Sequence, residues 1–145
     1  MQRGGLELSK KVAVDKATER AMKKLGELIT ECRGGRSLRK IAEPSGIAAS
    51  QLQSIERGIL APTADVYPKL LDTLQPDEKQ KSEMDRLYMT IRKTPPPDVC
   101  ELLINNPNLI TVLRSMEDAK LSKKEMASVL ALIAQMKIKG DTDNG

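Results

Sequence analysis

Residues 46–58 read GIAASQLQSIERG. Leu52 and Ile55 stand three apart, so a helix through this stretch buries both on one side. The same spacing turns Ala49, Ser50, Gln51, Gln53 and Ser54 outward. The helix begins near Ala48 and closes at Gly58, the residue type that most often ends a helix. Just upstream, Ser37 can cap a shorter helix carrying Leu38, Ile41 and Ala42. The triplet PSG at 44–46 ends it, and Gly46 permits a tight turn. Ile41, Ala42, Ile47, Leu52 and Ile55 then form a small core that fixes the angle between the two helices.

Working outward, Met22, Leu25, Leu28, Ile29 and Cys32 make one stripe of a helix whose signal sharpens from Ala21 and which stops at RGGR, residues 33–36. LAPT at 60–63 is a loop. A fourth helix carries Val66, Leu70, Leu71 and Leu74, and QPDE at 75–78 opens a fifth with Met84, Leu87, Tyr88 and Ile91 on one side. Pro44 at the end of helix two and Pro68 inside helix four are expected to cost helix stability. KTPPPD at 93–98 breaks the chain rigidly and sets the main boundary. Beyond it, Asp98 and Glu101 have capping-box spacing for a helix with Val99, Leu102 and Leu103 inward. NNP at 105–107 starts another, with Leu109, Val112, Leu113 and Met116 on one side. Ser122 and Glu125 cap a last helix bearing Met126, Val129, Leu130, Ile133 and Met136.

No stretch alternates as a strand and no repeat is visible, so the expected class is all-α. A five-helix domain spans 21–94, and a unit of about three helices spans 95–139. Residues 1–20 form a basic arm or helical extension, and 140–145 a frayed tail. The charged run at 76–86, PDEKQKSEMDR, suits a solvated helix face.

Composition narrows the function. Of 145 residues, 39% are hydrophobic and 30% charged, as in an ordinary globular chain. Tyr67 and Tyr88 are the only aromatics, so the core is expected to be aliphatic, and a platform for stacking unpaired bases is missing. Histidine is absent, which removes the commonest general base and metal ligand. With no glycine-rich phosphate loop, no metal-ligand cluster and no nucleophile beside a base, neither an enzyme nor a cofactor or metal is expected. Cys32 and Cys100 each fall on an apolar helical face and are expected as buried, reduced thiols. No segment nears the roughly 20 apolar residues of a membrane span, and MQRGGLELSKK lacks the apolar run of a signal peptide, so a cytoplasmic protein without a membrane partner is expected. The net charge of +4 is uneven: residues 1–40 carry 11 Lys or Arg against 5 Asp or Glu. That excess is either a phosphate-facing surface or a solubilising tail.

The stretch SLRKIAEPSGIAASQLQSIERG, residues 37–58, resembles the helix-turn-helix of the lambda-repressor-like (Xre) family of bacterial and phage regulators. Its marks are Ile41-Ala42, Gly46-Ile47, Leu52, Ile55-Glu56, Gly58 and then Pro62, and the resemblance covers about residues 21–75. The segment from PPPDVCELL to KKEMASVL looks like the helical extension of some such regulators. The resemblance implies that residues 48–57 lie in the major groove of double-stranded DNA while helix two crosses the backbone. Ala49, Ser50, Gln51 and Ser54 fall at family positions that approach bases. A Gln51 amide can pair with adenine, a serine can meet any base or a phosphate, and Ala49 can meet only a thymine methyl. Ser37, with the amides behind it, suits a phosphate, and Arg39 adds charge nearby. Glu56 is expected to pair with a helix-one arginine such as Arg33 rather than touch DNA.

One departure shapes the expected contacts. The family's loop after helix three often carries Lys or Arg, whereas here it is GILAP, with only Arg57 before it. Lys10, Lys11, Lys16, Arg20, Lys23 and Lys24 of the N-terminal segment are therefore expected to supply the missing phosphate contacts. The implied function is a sequence-specific transcription regulator, a repressor, acting as a homodimer because one helix reads only a few base pairs. The helices after Pro95–Pro97 would dimerise or receive a signal, with Val129, Leu130, Ile133 and Met136 as the seam or else packed within their own subunit. Two alternatives stand beside this. An antitoxin would repress its own operon and neutralise a partner protein through residues 95–139. A helical interaction module would have lost DNA binding, consistent with Ala49 and the neutral GILAP loop.

Overall fold

The computed structural model describes residues 15–144, with side-chain surroundings given as far as Lys137. The described residues form eight helices and no strand: α1 (Lys16–Arg33), α2 (Leu38–Ala42), α3 (Ala49–Glu56), α4 (Val66–Leu74), α5 (Glu78–Arg92), α6 (Pro97–Asn105), α7 (Asn108–Ala119) and α8 (Lys123–Asn144). The chain divides into two compact units, one reaching Glu101 and the other starting at Leu102. The contact boundary thus falls six residues beyond Pro95, since Pro96 is buried and the Cys100 thiol lies 3.3 Å from the Pro95 carbonyl oxygen.

The first helix begins at Lys16, ahead of Ala21, where its apolar stripe sharpens. Asp15 caps it, its carboxylate accepting the Thr18 amide at 2.7 Å. That bond holds the Asp15 carboxyl below its usual value. The buried residue one turn before Ala21 and Met22 is Thr18, so an apolar stripe does not reveal the extra turn. Residues 16–20 are therefore the start of α1, which agrees with the helical-extension alternative; residues 1–14, with Lys10 and Lys11, lie outside the described residues. Helix α1 packs along α5 and also meets α3 and α4.

One proline is placed differently from the sequence expectation, and the other lies inside helix four as expected but in its first turn. Helix α2 closes at Ala42, two residues before Pro44, so that ring interrupts no helix. Pro68 is the third residue of α4, within the first turn, where backbone amides have no partner inside the helix. The expected cost of each is absent.

The core of the first unit comprises Ala21, Leu25, Ile29, Ile41, Ala42, Leu52, Ile55, Tyr67, Leu70, Leu74, Met84, Leu87 and Tyr88. It is not purely aliphatic. Tyr67 and Tyr88 are both about 1% exposed, and their rings stack with centroids 4.3 Å apart. The Tyr67 hydroxyl donates to Asp85 Oδ1 at 2.7 Å, which satisfies the polar end inside an apolar site. Cys32 and Cys100 are free thiols, half-buried rather than buried. Burial, and the neighbouring Glu31, push the Cys32 thiol above its ordinary value.

Asp98 lies inside α6 and not at its cap: the helix starts at Pro97, and the Val99 and Cys100 amides bond the Pro96 carbonyl. Val99 and Leu102 are exposed and Leu103 half-buried, so the inward face expected there is not covered. In the second unit, Leu109 and Met116 of α7 are half-buried, while Val112 and Leu113 are exposed. Ser122 and Glu125 form the expected reciprocal cap of α8, with bonds of 2.9 and 3.1 Å. Residues 140–144 continue α8 rather than fraying, because Gly140 inside a helix lowers its stability by about 1 kcal/mol without stopping it.

Candidate functional site

Helix α3 is the element to which the sequence assigns contacts, and its placement rests on three contacts. Leu52 and Ile55 point into the core, and Ile41, Ala42 and the half-buried Ile47 meet them there. Gly26 of α1 lets the two backbones touch: a Cβ at Gly26 would lie 2.3 Å from the Glu56 carbonyl oxygen and 2.6 Å from that of Ile55. Arg33 then grips Glu56 with two bonds, Nε to Oε2 at 2.7 Å and Nη2 to Oε1 at 3.0 Å. The Glu56 side chain is only 8% exposed, and its hydrogen bond raises the Arg33 guanidinium above its ordinary value. The one carboxylate of α3 is thus neutralised inward, as its sequence position led us to expect.

The turn before α3 is fixed by Gly46 at φ +78° and by Ser45, whose buried hydroxyl donates to the Ile41 carbonyl at 2.7 Å. The loop after it is equally constrained. Gly58, at φ +77°, has no room for a side chain, since a Cβ would lie 2.8 Å from Lys23 Cα. The Ile59 and Leu60 amides bond the Ser54 carbonyl at 2.9 and 3.2 Å. Arg92 donates to the Ala61 and Pro62 carbonyls at 3.0 Å each. Ile59 is nevertheless 68% exposed and Leu60 43%.

The candidate residues take the following places. Ala49 is the first residue of α3 and half-buried, Ser50 and Gln51 are exposed, Ser54 is half-buried, and Arg57 is exposed at the helix end. Gln51 is not free: its Oε1 accepts the Ala48 amide at 2.8 Å. Ala48 occupies the N-cap but has no oxygen to offer the Gln51 amide, so only the reverse half of a capping box is made, the Gln51 side chain satisfying the Ala48 amide. Bidentate pairing with adenine draws on the same Oε1, so the cap takes one of its two lone pairs and fixes where the amide points. Ser37 caps α2, accepting the Lys40 amide at 3.1 Å. Arg39 is exposed and paired with Glu43 at 3.2 Å, which reduces its local field. Lys16, Arg20, Lys23 and Lys24 are exposed on α1. Of these, Lys23 is brought beside Gly58, at the C-terminal end of α3.

Several positioning residues were not singled out from the sequence. Gly26 carried a signal, because a glycine within a helix is costly unless something approaches closely. Arg36 carried none. Its guanidinium bonds the Cys32 carbonyl at 2.6 Å and those of Thr73 and Leu74 at 3.3 and 3.2 Å, tying α1 to the end of α4. A cleft of about 340 Å³ opens around Tyr67, Leu71, Gln75 and Asp85, but no residue of α2 or α3 lines it. Among the described residues no group of three or more Asp, Glu or Cys could hold a metal ion, and no helix is long and apolar enough to cross a membrane. Comparison with protein-family models, curated proteins and solved structures yields no match for this chain.

Proposed function

We propose that this chain is a sequence-specific double-stranded DNA-binding regulator of transcription, acting as a repressor and as a dimer, with α3 as its reading helix. The observation that carries this is the electrostatic character of α3. Its only carboxylate is locked to Arg33, and its outward face presents short, neutral polar groups at Ser50, Gln51, Gln53 and Ser54, flanked by Arg57 and Lys23. Such a face can approach a polyanion without repulsion and is narrow enough for the major groove. Ser37 and the first amides of α2 suit a phosphate, with Arg39 beside them. Lys16, Arg20, Lys23 and Lys24 would contact the backbone from α1 rather than from an arm. Repression follows from occupying a promoter, and two copies read two half-sites a helical turn apart.

A second reading is favoured by one specific feature, the exposed Ile59 and Leu60 held rigidly at the end of α3. An apolar tip there suits a protein partner better than a phosphate backbone, so the alternative is a helical interaction module. Titration of the chain against duplex from upstream of its own gene, and against a scrambled duplex, at two salt concentrations separates the two. Preferential binding that weakens steeply with salt supports the regulator. Equal and feeble binding to both duplexes supports the interaction module.

A further inference from the structure

From Leu102 to Lys137, where burial is described, no residue is buried, even though these helices are rich in aliphatic side chains. Val112, Leu113, Leu130, Leu132, Ile133 and Met136 are each 51% to 67% exposed. Helices α7 and α8 do not pack extensively on one another. Along α7 runs an open groove of about 490 Å³, lined by Val112, Met116 and Leu121 among others. Helix α8 carries no charged residue between Glu125 and Lys137. At helical spacing its apolar positions from Met126 to Met136 surround the axis, leaving only an edge at Ser128 and Gln135 polar. A helix apolar on nearly all sides belongs inside a structure, and a unit this small seldom stabilises itself without a staple or a partner.

We infer that α7 and α8 are covered by α7 and α8 of a second copy, so that the unit from Leu102 completes its fold by pairing. Two features identify the occupant as another copy. First, the unit carries six Lys or Arg against five Asp or Glu, so copies meet without net repulsion, and its seam lacks the charge that would select an acidic or basic partner. Second, side chains more than half exposed at six positions, together with their rims, offer an apolar area on the order of the 800 Å² per partner of a stable protein interface. The seam differs from the one read in the sequence. Val129 is half-buried within its own chain, whereas Leu132, not singled out earlier, is 57% exposed and joins Leu130, Ile133 and Met136. Isologous pairing about a two-fold axis sets each apolar face on its like.

This deepens the dimer on which the proposed function rests, and it is tested without DNA, so either can fail alone. Sedimentation equilibrium of the full chain should give twice the 16.0 kDa chain mass at micromolar concentration. Leu130→Asp with Ile133→Asp should weaken association by roughly 100-fold or more, as loss of two central anchors does, while the Tyr67–Tyr88 core keeps its near-ultraviolet circular dichroism. Hydrogen exchange of the wild-type chain gives a second readout that needs no variant: amides of 126–136 should gain protection as concentration rises, and those of α1 and α5 should not. A wild-type chain that stays monomeric at about 100 µM, a threshold set by the affinity of weak assemblies, overturns the inference. So does exchange at 126–136 that ignores concentration.

Discussion

Replacing Gly26 by alanine tests whether α3 is held by direct backbone contact with α1. In an exposed helix interior this change stabilises by up to about 1 kcal/mol, because alanine is the better helix former. Here the added Cβ would stand 2.3 Å from the Glu56 carbonyl oxygen, where ordinary contact begins at 3.4 Å. The obstacle is backbone on both sides, so no rotamer change relieves it. Helices α1 and α3 must separate by about 1 Å, loosening the packing around Leu52 and Ile55 and straining the Arg33–Glu56 bonds. Overpacking of this kind costs about 1–3 kcal/mol, and weakening the bridge adds about 1 kcal/mol, so the net expectation is destabilisation by about 1–3 kcal/mol. Urea unfolding followed by far-ultraviolet circular dichroism measures it, and the melting temperature should fall by about 3 °C for each kcal/mol. DNA affinity should fall as well, since α3 shifts as a body. A Gly26→Ala chain as stable as wild type, or more so, would refute the close approach and the packing built on it.

Further expectations follow from the same geometry. Glu56→Ala leaves the Arg33 guanidinium without its main partner and should cost about 2 kcal/mol in the same unfolding assay, less than a fully buried pair because Arg33 keeps its bond to the Arg36 carbonyl and remains partly solvated. Ala48→Ser supplies the missing cap oxygen for the Gln51 amide and completes the capping box, the Gln51 side chain staying on the residue-48 amide; stability should rise by about 1 kcal/mol in the same unfolding assay. The tyrosines give a pH test. Burial, then the bond to Asp85, pushes the Tyr67 hydroxyl far above its ordinary value of 10.0, and burial raises Tyr88 as well. Both protons are held more tightly in the folded chain, so this stability is complete below pH 10 and is lost as pH rises above it. Absorbance at 295 nm at pH 10.5 should show much less tyrosinate in the native chain than in urea, where each ring is about three-quarters ionised at its ordinary value, and native titration near pH 10 would contradict the buried stack.

Much of the first unit was legible because its signals are local. The Ser37 cap, the Leu52–Ile55 spacing, Gly46 and Gly58 each dictate backbone by themselves, and Glu56 could be paired with Arg33 because a carboxylate on that helix has no use toward a phosphate. What escaped depends on contacts distant in sequence or on polar residues in apolar roles. Thr18 hid the first turn of α1, and Tyr67 packs at the start of α4 where its ring meets Tyr88 from another helix. Gly26 matters only because α3 crosses it. The double use of Gln51 shows only when its side chain is seen folded back on the Ala48 amide. In the second unit periodicity marks which sides of α7 and α8 are apolar, but it does not say whether those sides meet within one chain.

The central claim is that α3 reads DNA through Ser50, Gln51 and Ser54. The most direct measurement is selection of duplexes from a randomised pool by the full chain, repeated with Gln51→Ala. The account predicts enrichment of a defined site by the wild-type chain, with affinity falling steeply as salt rises, and loss of discrimination at one or two positions of that site in the variant. A pool left unenriched by the wild-type chain, or the same site selected equally well by both chains, would contradict it.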